Sequence, residues 1–383
     1  MLYGSVTSVS STNRTCESSQ TMRVVAKIGT SSITDEQGAI SRQAIAKLTR
    51  EVAALRAAGH EVLLVSSGAV AAGVATLGFD SRPTDMRTLQ AVSAVGQSRI
   101  MQQYNEEFAA FGLVGAQVLL DPHDFVDRTQ YLHARETLGR LLELGCVPII
   151  NENDAIANDE LRYGDNDRIA ALVAHSVKAD VMVLLTDLEG LYTSDPRTDP
   201  DAVLVSTVEA DDPLLSIRAG AGGSGRGSGG MASKLAAARI ASWSGVRTVI
   251  ASAGRLNVLP DAVAGVGIGT TFAGHDRRLP ARKLWMAFAA EVRGTITVDE
   301  GARHALTTRS TSLLPAGVSG VQGSFGEGDT VDVCGPDGIV FARGIVYISA
   351  DELRTVAGRQ TKHLPDGMTH EVIHRDDLVV LPS

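Results

Sequence analysis

The sequence is short of cysteine, of aromatic residues and of positive charge, and it has no long hydrophobic run. Cys16, Cys146 and Cys334 are odd in number, far apart and without a CxxC pair. That excludes a disulfide framework and a cysteine-built zinc site, and it fits the reducing cytoplasm. Lys and Arg number 35 against 44 Asp and Glu, a formal charge of -9. Such a balance disfavours a general binder of nucleic acid or anionic membrane and favours a small-molecule substrate. No apolar run approaches a membrane span, and the opening MLYGSVTSVSSTNRTCESSQT lacks the basic start and apolar block of a signal peptide. Rich in Ser and Thr, residues 1–21 read as a disordered leader or an upstream start, with folding proper beginning near Met22. Aromatics make up 4% of a chain that is 44% hydrophobic, so its cores are aliphatic, and its length allows two or three of them.

From Met22 onward, short apolar runs alternate with helical stretches. RVVAKIG, EVLLVSSG, GAQVLL, CVPIIN, VMVLLTD and VRTVIAS read as buried strands, each closed by a Gly, Ser, Asn or Asp or by a following polar turn. Between the first two lies SRQAIAKLTREVAALRAAG, where Ile45, Leu48, Val52 and Leu55 recur at helical spacing and Gly59 ends the run. DMRTLQAVSAVGQSRIMQQYNEEF is a second amphipathic helix, its apolar stripe suited to the sheet or to another subunit. The alternation predicts an α/β fold, a mostly parallel open sheet sandwiched by helices, with ligands bound beyond the carboxyl ends of the strands. A boundary is expected within Gly274–Glu291, after which short strands and turns (GTITVD, GDTVDVCGPDGIVFARGIVYIS) predict a small β-rich domain. The expected division is 1–21 leader, 22–277 first domain, 278–290 linker and 291–383 second domain.

Three stretches at the ends of strands suit a phosphate. AKIGTSS puts Lys27 at the end of the first strand with Gly29 beyond it; SSGAVAAG brings Ser66, Ser67 and Gly68; GAGGSGRGSGGMASKLAAARIASWSG is a glycine-rich loop opening a helix with Lys234 near its first turn. Gly225–Gly230 satisfies GxGxxG only because the run is mostly glycine, and no acidic residue follows where a ribose would need one, so a dinucleotide is not indicated. GxxxxGK[ST] is absent. A fourth stretch, Asn151 to Asp167, gathers six carboxylates and four asparagines around a single cation, Arg162.

Taken in order, VVAKIGTSS, VSSGAVAAG, INENDAIA, YGDND, LLTDLEGLYTSDPR and SGGMASKLAAA resemble the motifs of the amino acid kinase family, in the branch that phosphorylates the side-chain carboxylate of L-glutamate. TSLLPAGVSGVQGSFGEGDTVDV resembles the start of a PUA domain. The resemblance covers essentially everything after Thr21 and implies formation of glutamyl 5-phosphate from ATP and L-glutamate, the first step of proline synthesis. It implies Lys27, Asp167 and Lys234 as catalytic residues, with Asp167 orienting the two lysines. Ser67, Asp154 and Asn166 would hold glutamate, Asp154 at the α-ammonium. Lys27, Thr186, Asp187 and the run Ser228, Gly229, Gly230, Met231, Ala232, Ser233 and Lys234 would bind ATP. No protein-bound metal is implied; Mg2+ would arrive on the ATP phosphates. Family precedent adds a homo-oligomer, proline as feedback inhibitor and possible transfer of product to glutamyl phosphate reductase. The carboxylate acceptor, with a pKa of about 4.3, is already ionised at neutral pH, so the acidic stretch is not needed as a general base.

The remaining acids of that stretch, Asp159 and Glu160, read as solvated surface, and His123, His133 and His175 as histidines without ligand spacing. PUA domains raise RNA as a partner, yet acids outnumber bases between Glu291 and Ser383, so RNA is not expected. The alternatives are a kinase for N-acetylglutamate or aspartate. The first of these would not need an acid at an ammonium.

Overall fold

The computed structural model describes residues 20–35, 38–125, 127–156, 166–210, 212, 230–276, 278–284, 286–287, 292–359 and 371–381. All six apolar runs form strands: β1 (Arg23–Ile28), β2 (Glu61–Ser66), β3 (Gly115–Leu120), β4 (Val147–Glu152), β5 (Val181–Thr186) and, beyond a short β6 (Thr207–Val208), β7 (Arg247–Ser252). With β8 (Thr270–Phe272) they make, among the described residues, an eight-stranded sheet in the order β3-β4-β2-β1-β5-β7-β8-β6. Every pairing in it is parallel except β7 with β8. The two strands not foreseen, β6 and β8, are only two and three residues long.

Helices cover both faces. After the single turn α1 (Thr30–Ile33), α2 (Arg42–Ala57) starts on a Ser41 hydroxyl that accepts from the Ala44 amide, and it turns Ile45, Leu48, Val52 and Leu55 inward. Gly59 follows at φ 88°, a left-handed conformation that suits glycine at a helix end. Then come α3 (Ala69–Leu77), α4 (Met86–Ala109), α5 (Arg128–Glu143), α6 (Asn166–Ser176), α7 (Met231–Trp243), α8 (Val258–Val263) and α9 (Ala281–Leu284). Strand pleating sorts the core. Val25, Leu63, Val65, Ile150, Met182 and Leu184 meet α5, α6 and α7 on one face. Their neighbours Val24, Ala26, Val62, Leu64, Ile149 and Val183 meet α2, α3, α4 and α8 on the other.

The α3 and α4 helices touch backbone to backbone. A Cβ built on Gly73 would lie 1.9 Å from the Val92 carbonyl oxygen, and one built on Gly96 would lie 1.8 Å from that of Ala69. Gly96→Ala therefore drives the helices apart at an expected cost of about 2 kcal/mol, a fall in Tm of roughly 4–8 °C by calorimetry. An unchanged Tm would contradict this packing.

A second sheet of five strands forms in the order β10-β9-β11-β12-β13, from β9 (Val292–Val298), β10 (Val318–Gly323), β11 (Thr330–Cys334), β12 (Val340–Ile345) and β13 (Leu378–Val380). The β-rich expectation holds there, with two helices in addition, α10 (Glu300–Arg309) and α11 (Ala350–Val356). The stretch expected as a linker is, in its described part, packed on both sides. Leu284 is buried in the first domain's core, whereas Met286 and Ala287 pack on Val379 of β13. Arg343 of β12 donates to the Ala287 carbonyl at 2.8 Å, and Arg282 pairs with the buried Asp377. Among the described residues no helix is long and apolar enough to cross a membrane.

Candidate active site

The carboxyl ends of β1, β2, β4 and β5 open on one side of the large sheet. The pleat decides what each presents there. Lys27 follows Val25 on the face covered by α6 and α7, where Asp167 occupies the first turn of α6 and Lys234 the first turn of α7. Their side chains meet in the interior. Lys27 Nζ lies 2.7 Å from Asp167 Oδ1, Lys234 Nζ lies 3.2 Å from Asp167 Oδ2, and the Ser233 hydroxyl donates to Oδ2 at 2.6 Å. Exposure is 4% for each lysine and 1% for the aspartate.

Burial on its own would raise the Asp167 pKa, but the two ammonium groups outweigh it and hold the carboxyl at about 2. Burial lowers the pKa of Lys234, and the charge of Lys27 adds to that, while Asp167 opposes both. Two cations share the buried Asp167 carboxylate. That is an arrangement suited to phosphoryl oxygens. The start of α7 adds the helix end that favours negative charge.

At the end of β2 the same alternation separates Ser66, its last residue, from Ser67 just beyond it. Ser67 faces Asn166, whereas Ser66, 1% exposed, turns to α4, where its hydroxyl lies 3.0 Å from the Tyr104 hydroxyl. The Ser66 hydroxyl is thereby occupied within the core. Gly68 takes φ 99° at the start of α3, and a Cβ there would come within 2.9 Å of Ile33, so the turn carrying Ser67 requires glycine.

A chain of buried amides follows. The backbone N–H of Glu152 can only donate, and it reaches both Asn151 Oδ1 at 2.9 Å and Asn166 Oδ1 at 3.2 Å. This fixes both amides. Asn166 Nδ2 donates to Asn151 Oδ1 at 3.0 Å and to Ser67 Oγ at 3.1 Å, and Asn151 Nδ2 donates to Gln97 Oε1 of α4 at 2.8 Å. Because the Ser67 oxygen accepts from Asn166, its own proton remains for another acceptor. Asn166 thus holds Ser67 in place.

Asp154 opens a 3-10 turn just past β4, Asp154–Ile156, and is 8% exposed. Its Oδ2 accepts from the Ser93 hydroxyl of α4 at 2.8 Å. Burial pushes its pKa up, against the Ser93 hydrogen bond and the charge of Arg82. Thr186 ends β5 on the α7 side and donates to the exposed Asp187 at 3.0 Å; Asp187 in turn favours the charged form of Lys234. Gly230 caps α7, and Met231, Ala232 and Ser233 fill its first turn. Ser228 and Gly229, like Asp159 and Glu160, lie outside the described residues. His175 is half-buried, with Nδ1 3.2 Å from the Ser244 hydroxyl and a pKa lowered to about 4 by burial and the charge of Arg278; His133 is exposed.

Ser93, Gln97 and Asn151 were not anticipated. Ser93 and Gln97 are four residues apart, the polar members of a buried stripe that includes Leu89, Val92, Gly96, Ile100 and Tyr104. Two polar residues on one apolar helical face are the signal that pointed to buried partners.

A fold with helices on both faces of a parallel sheet, and a lysine pair clasping one carboxylate at the strand ends, is an anion-handling site of the phosphoryl-transfer type. Residues 22–252 match the amino acid kinase family and residues 294–367 match the PUA domain. With that first match spanning more than half of it, the chain belongs to the amino acid kinase family. Similar curated proteins are each named glutamate 5-kinase. One from Myxococcus xanthus is 48% identical over 363 residues, which is 94% of this chain and 96% of that protein. One from Thermobifida fusca is 45% identical over 371 residues, 95% of each chain, and one from Cupriavidus pinatubonensis is 44% identical over 366 residues, 94% of this chain and 98% of that one. At these identities and coverages the chain falls within the glutamate 5-kinases.

Proposed function

We propose that the chain transfers the terminal phosphoryl group of ATP to the side-chain carboxylate of L-glutamate, giving glutamyl 5-phosphate for proline synthesis. The observation that carries this reading is the buried Lys27–Asp167–Lys234 bridge beside a second, separate acid, Asp154. The two acids have different work. Asp167 holds both lysines in place; Asp154 receives the α-ammonium of the amino acid. The acceptor carboxylate is already ionised, so no residue has to remove a proton from it.

The barrier is repulsion between an anionic nucleophile and a polyanionic phosphate chain, and the remedy is positioning together with positive charge. Lys27 and Lys234 supply that charge to the moving group. Ser67, held by Asn166, donates its hydroxyl to the acceptor. The α7 amides from Gly230 onward, with Thr186 and Asp187, receive the nucleotide, and Ser228 and Gly229 continue that run. Mg2+, carried on the ATP phosphates, would neutralise part of their charge. By family precedent we also assign proline as feedback inhibitor, a homo-oligomer, a cytoplasmic location and possible hand-over of the product to glutamyl phosphate reductase. In domain terms, residues 22–277 form the kinase unit, 278–290 join it to the PUA unit, and 291–383 form the latter.

ADP release, coupled to a recording enzyme and measured with L-glutamate, N-acetyl-L-glutamate and L-aspartate in turn, tests this assignment. Turnover with glutamate alone is expected, and preference for either of the others would overturn it. A pH effect follows from the acids. Asp167, at about 2, stays ionised throughout the working range, whereas burial pushes the pKa of Asp154 up, against the Ser93 hydrogen bond and the charge of Arg82. Protonation removes the partner of the ammonium. The KM for glutamate should therefore rise on acidification in the wild type, and that rise should be missing in Asp154→Asn, which has no acid to protonate. The same pH profile of the glutamate KM in the wild type and in Asp154→Asn would contradict the role of Asp154.

A further inference from the structure

Ser93 sits in the middle of α4, 3% exposed, among Leu89, Val92, Gly96 and Ile100. A serine is a worse helix former than alanine by roughly half a kcal/mol, and its buried hydroxyl must be satisfied. Within a helix the usual solution is a bond back to a carbonyl one turn earlier, as Thr49 and Thr76 make in this chain. Ser93 instead reaches across to Asp154 Oδ2, 61 residues away. Among the described residues it is the one hydrogen-bond partner of that carboxylate.

We propose that Ser93 is a positioning residue that sets the enzyme's preference for an α-amino acceptor. Its single proton is given to Oδ2, which fixes the rotation of the carboxylate and leaves Oδ1 to face the ligand. A carboxylate pinned at one oxygen meets an ammonium without first losing rotational freedom, and the pin comes from a helix that itself packs backbone to backbone on α3. This inference rests on the reading of Asp154 as the ammonium partner. It goes further in locating the source of selectivity on α4, outside every motif that carries the resemblance.

The test compares L-glutamate with glutarate, the same five-carbon diacid without the amine, as ligands of the full-length enzyme by calorimetry. Wild type should prefer glutamate. Ser93→Ala should weaken glutamate about 10-fold, the scale of one hydrogen bond to a charged group, and leave glutarate within about twofold. Ser93→Thr, which restores the hydroxyl, should recover most of the preference. Should alanine disturb the fold, as judged by the thermal transition, Ser93→Cys keeps the volume with a weaker donor and should lie between wild type and alanine. Equal weakening of both ligands, or no change in either, overturns the proposal. Asp154→Asn separates the two levels. If it abolishes the preference while Ser93→Ala does not, the positioning role alone is wrong; if it too leaves the preference intact, the ammonium reading falls and this inference with it.

Discussion

Lys234→Ala is expected to lower kcat about 100-fold or more, on the order of 3 kcal/mol of transition-state stabilisation, with a smaller change in glutamate affinity. Lys234 lies 3.2 Å from Asp167 in a site where both are almost wholly buried, so no water replaces its charge as the phosphoryl group moves. Lys27→Ala should behave alike, since its ammonium lies on the other oxygen of the same carboxylate. Arginine should not substitute in either place, because a planar guanidinium does not fit a niche sized for one ammonium. Removing one partner of a buried ion pair also costs stability. The Tm of each variant must therefore be recorded beside its kcat. Here the second lysine remains on Asp167, which limits the loss. A folded Lys234→Ala enzyme turning over within a few-fold of wild type would show that the charge acts elsewhere.

Asp154→Ala is the second large effect, and it should fall on a different constant. Loss of a charge-assisted contact with the ammonium is worth on the order of 2 kcal/mol, a rise of about 30-fold in the KM for glutamate. ATP binding should be nearly intact, since Asp154 takes no part in the bridge of Lys27, Asp167 and Lys234. Asp154→Asn keeps the shape and still accepts from Ser93, so it isolates the charge itself. Equal losses for the two substrates would move Asp154 from the amino acid to the scaffold.

The layers of the large sheet were legible because its buried strands are continuous aliphatic runs and α2 repeats at helical spacing up to Gly59. β6 and β8 were not, for a strand of two or three residues carries no period. α11 could have been found from Ser349 to Glu352, where serine and glutamate three apart form a capping box. The charged half of the site stood in the sequence as Lys27, Asp167 and Lys234, in motifs whose company gave their meaning. Of its amide half only Ser67 and Asn166 did. Gln97 and Asn151 meet across 54 residues, and Ser93 and Asp154 across 61, distances over which spacing says nothing. Ser66 and Ser67 look equivalent as text, and only the strand's alternation turns one to Tyr104 and the other to Asn166.

The central claim is that the phosphoryl group lands on the side-chain carboxylate of glutamate. An acyl phosphate reacts with hydroxylamine to give a hydroxamate and free phosphate, which marks the carboxyl group that was activated. Incubation of the enzyme with ATP, Mg2+, L-glutamate and hydroxylamine, followed by mass spectrometry against the two authentic hydroxamates, reads the site of transfer directly. The account predicts the γ-hydroxamate of glutamate, formed in step with ADP and absent when glutamate is omitted. ADP release without a hydroxamate, or a hydroxamate at the α-carboxylate, would contradict it.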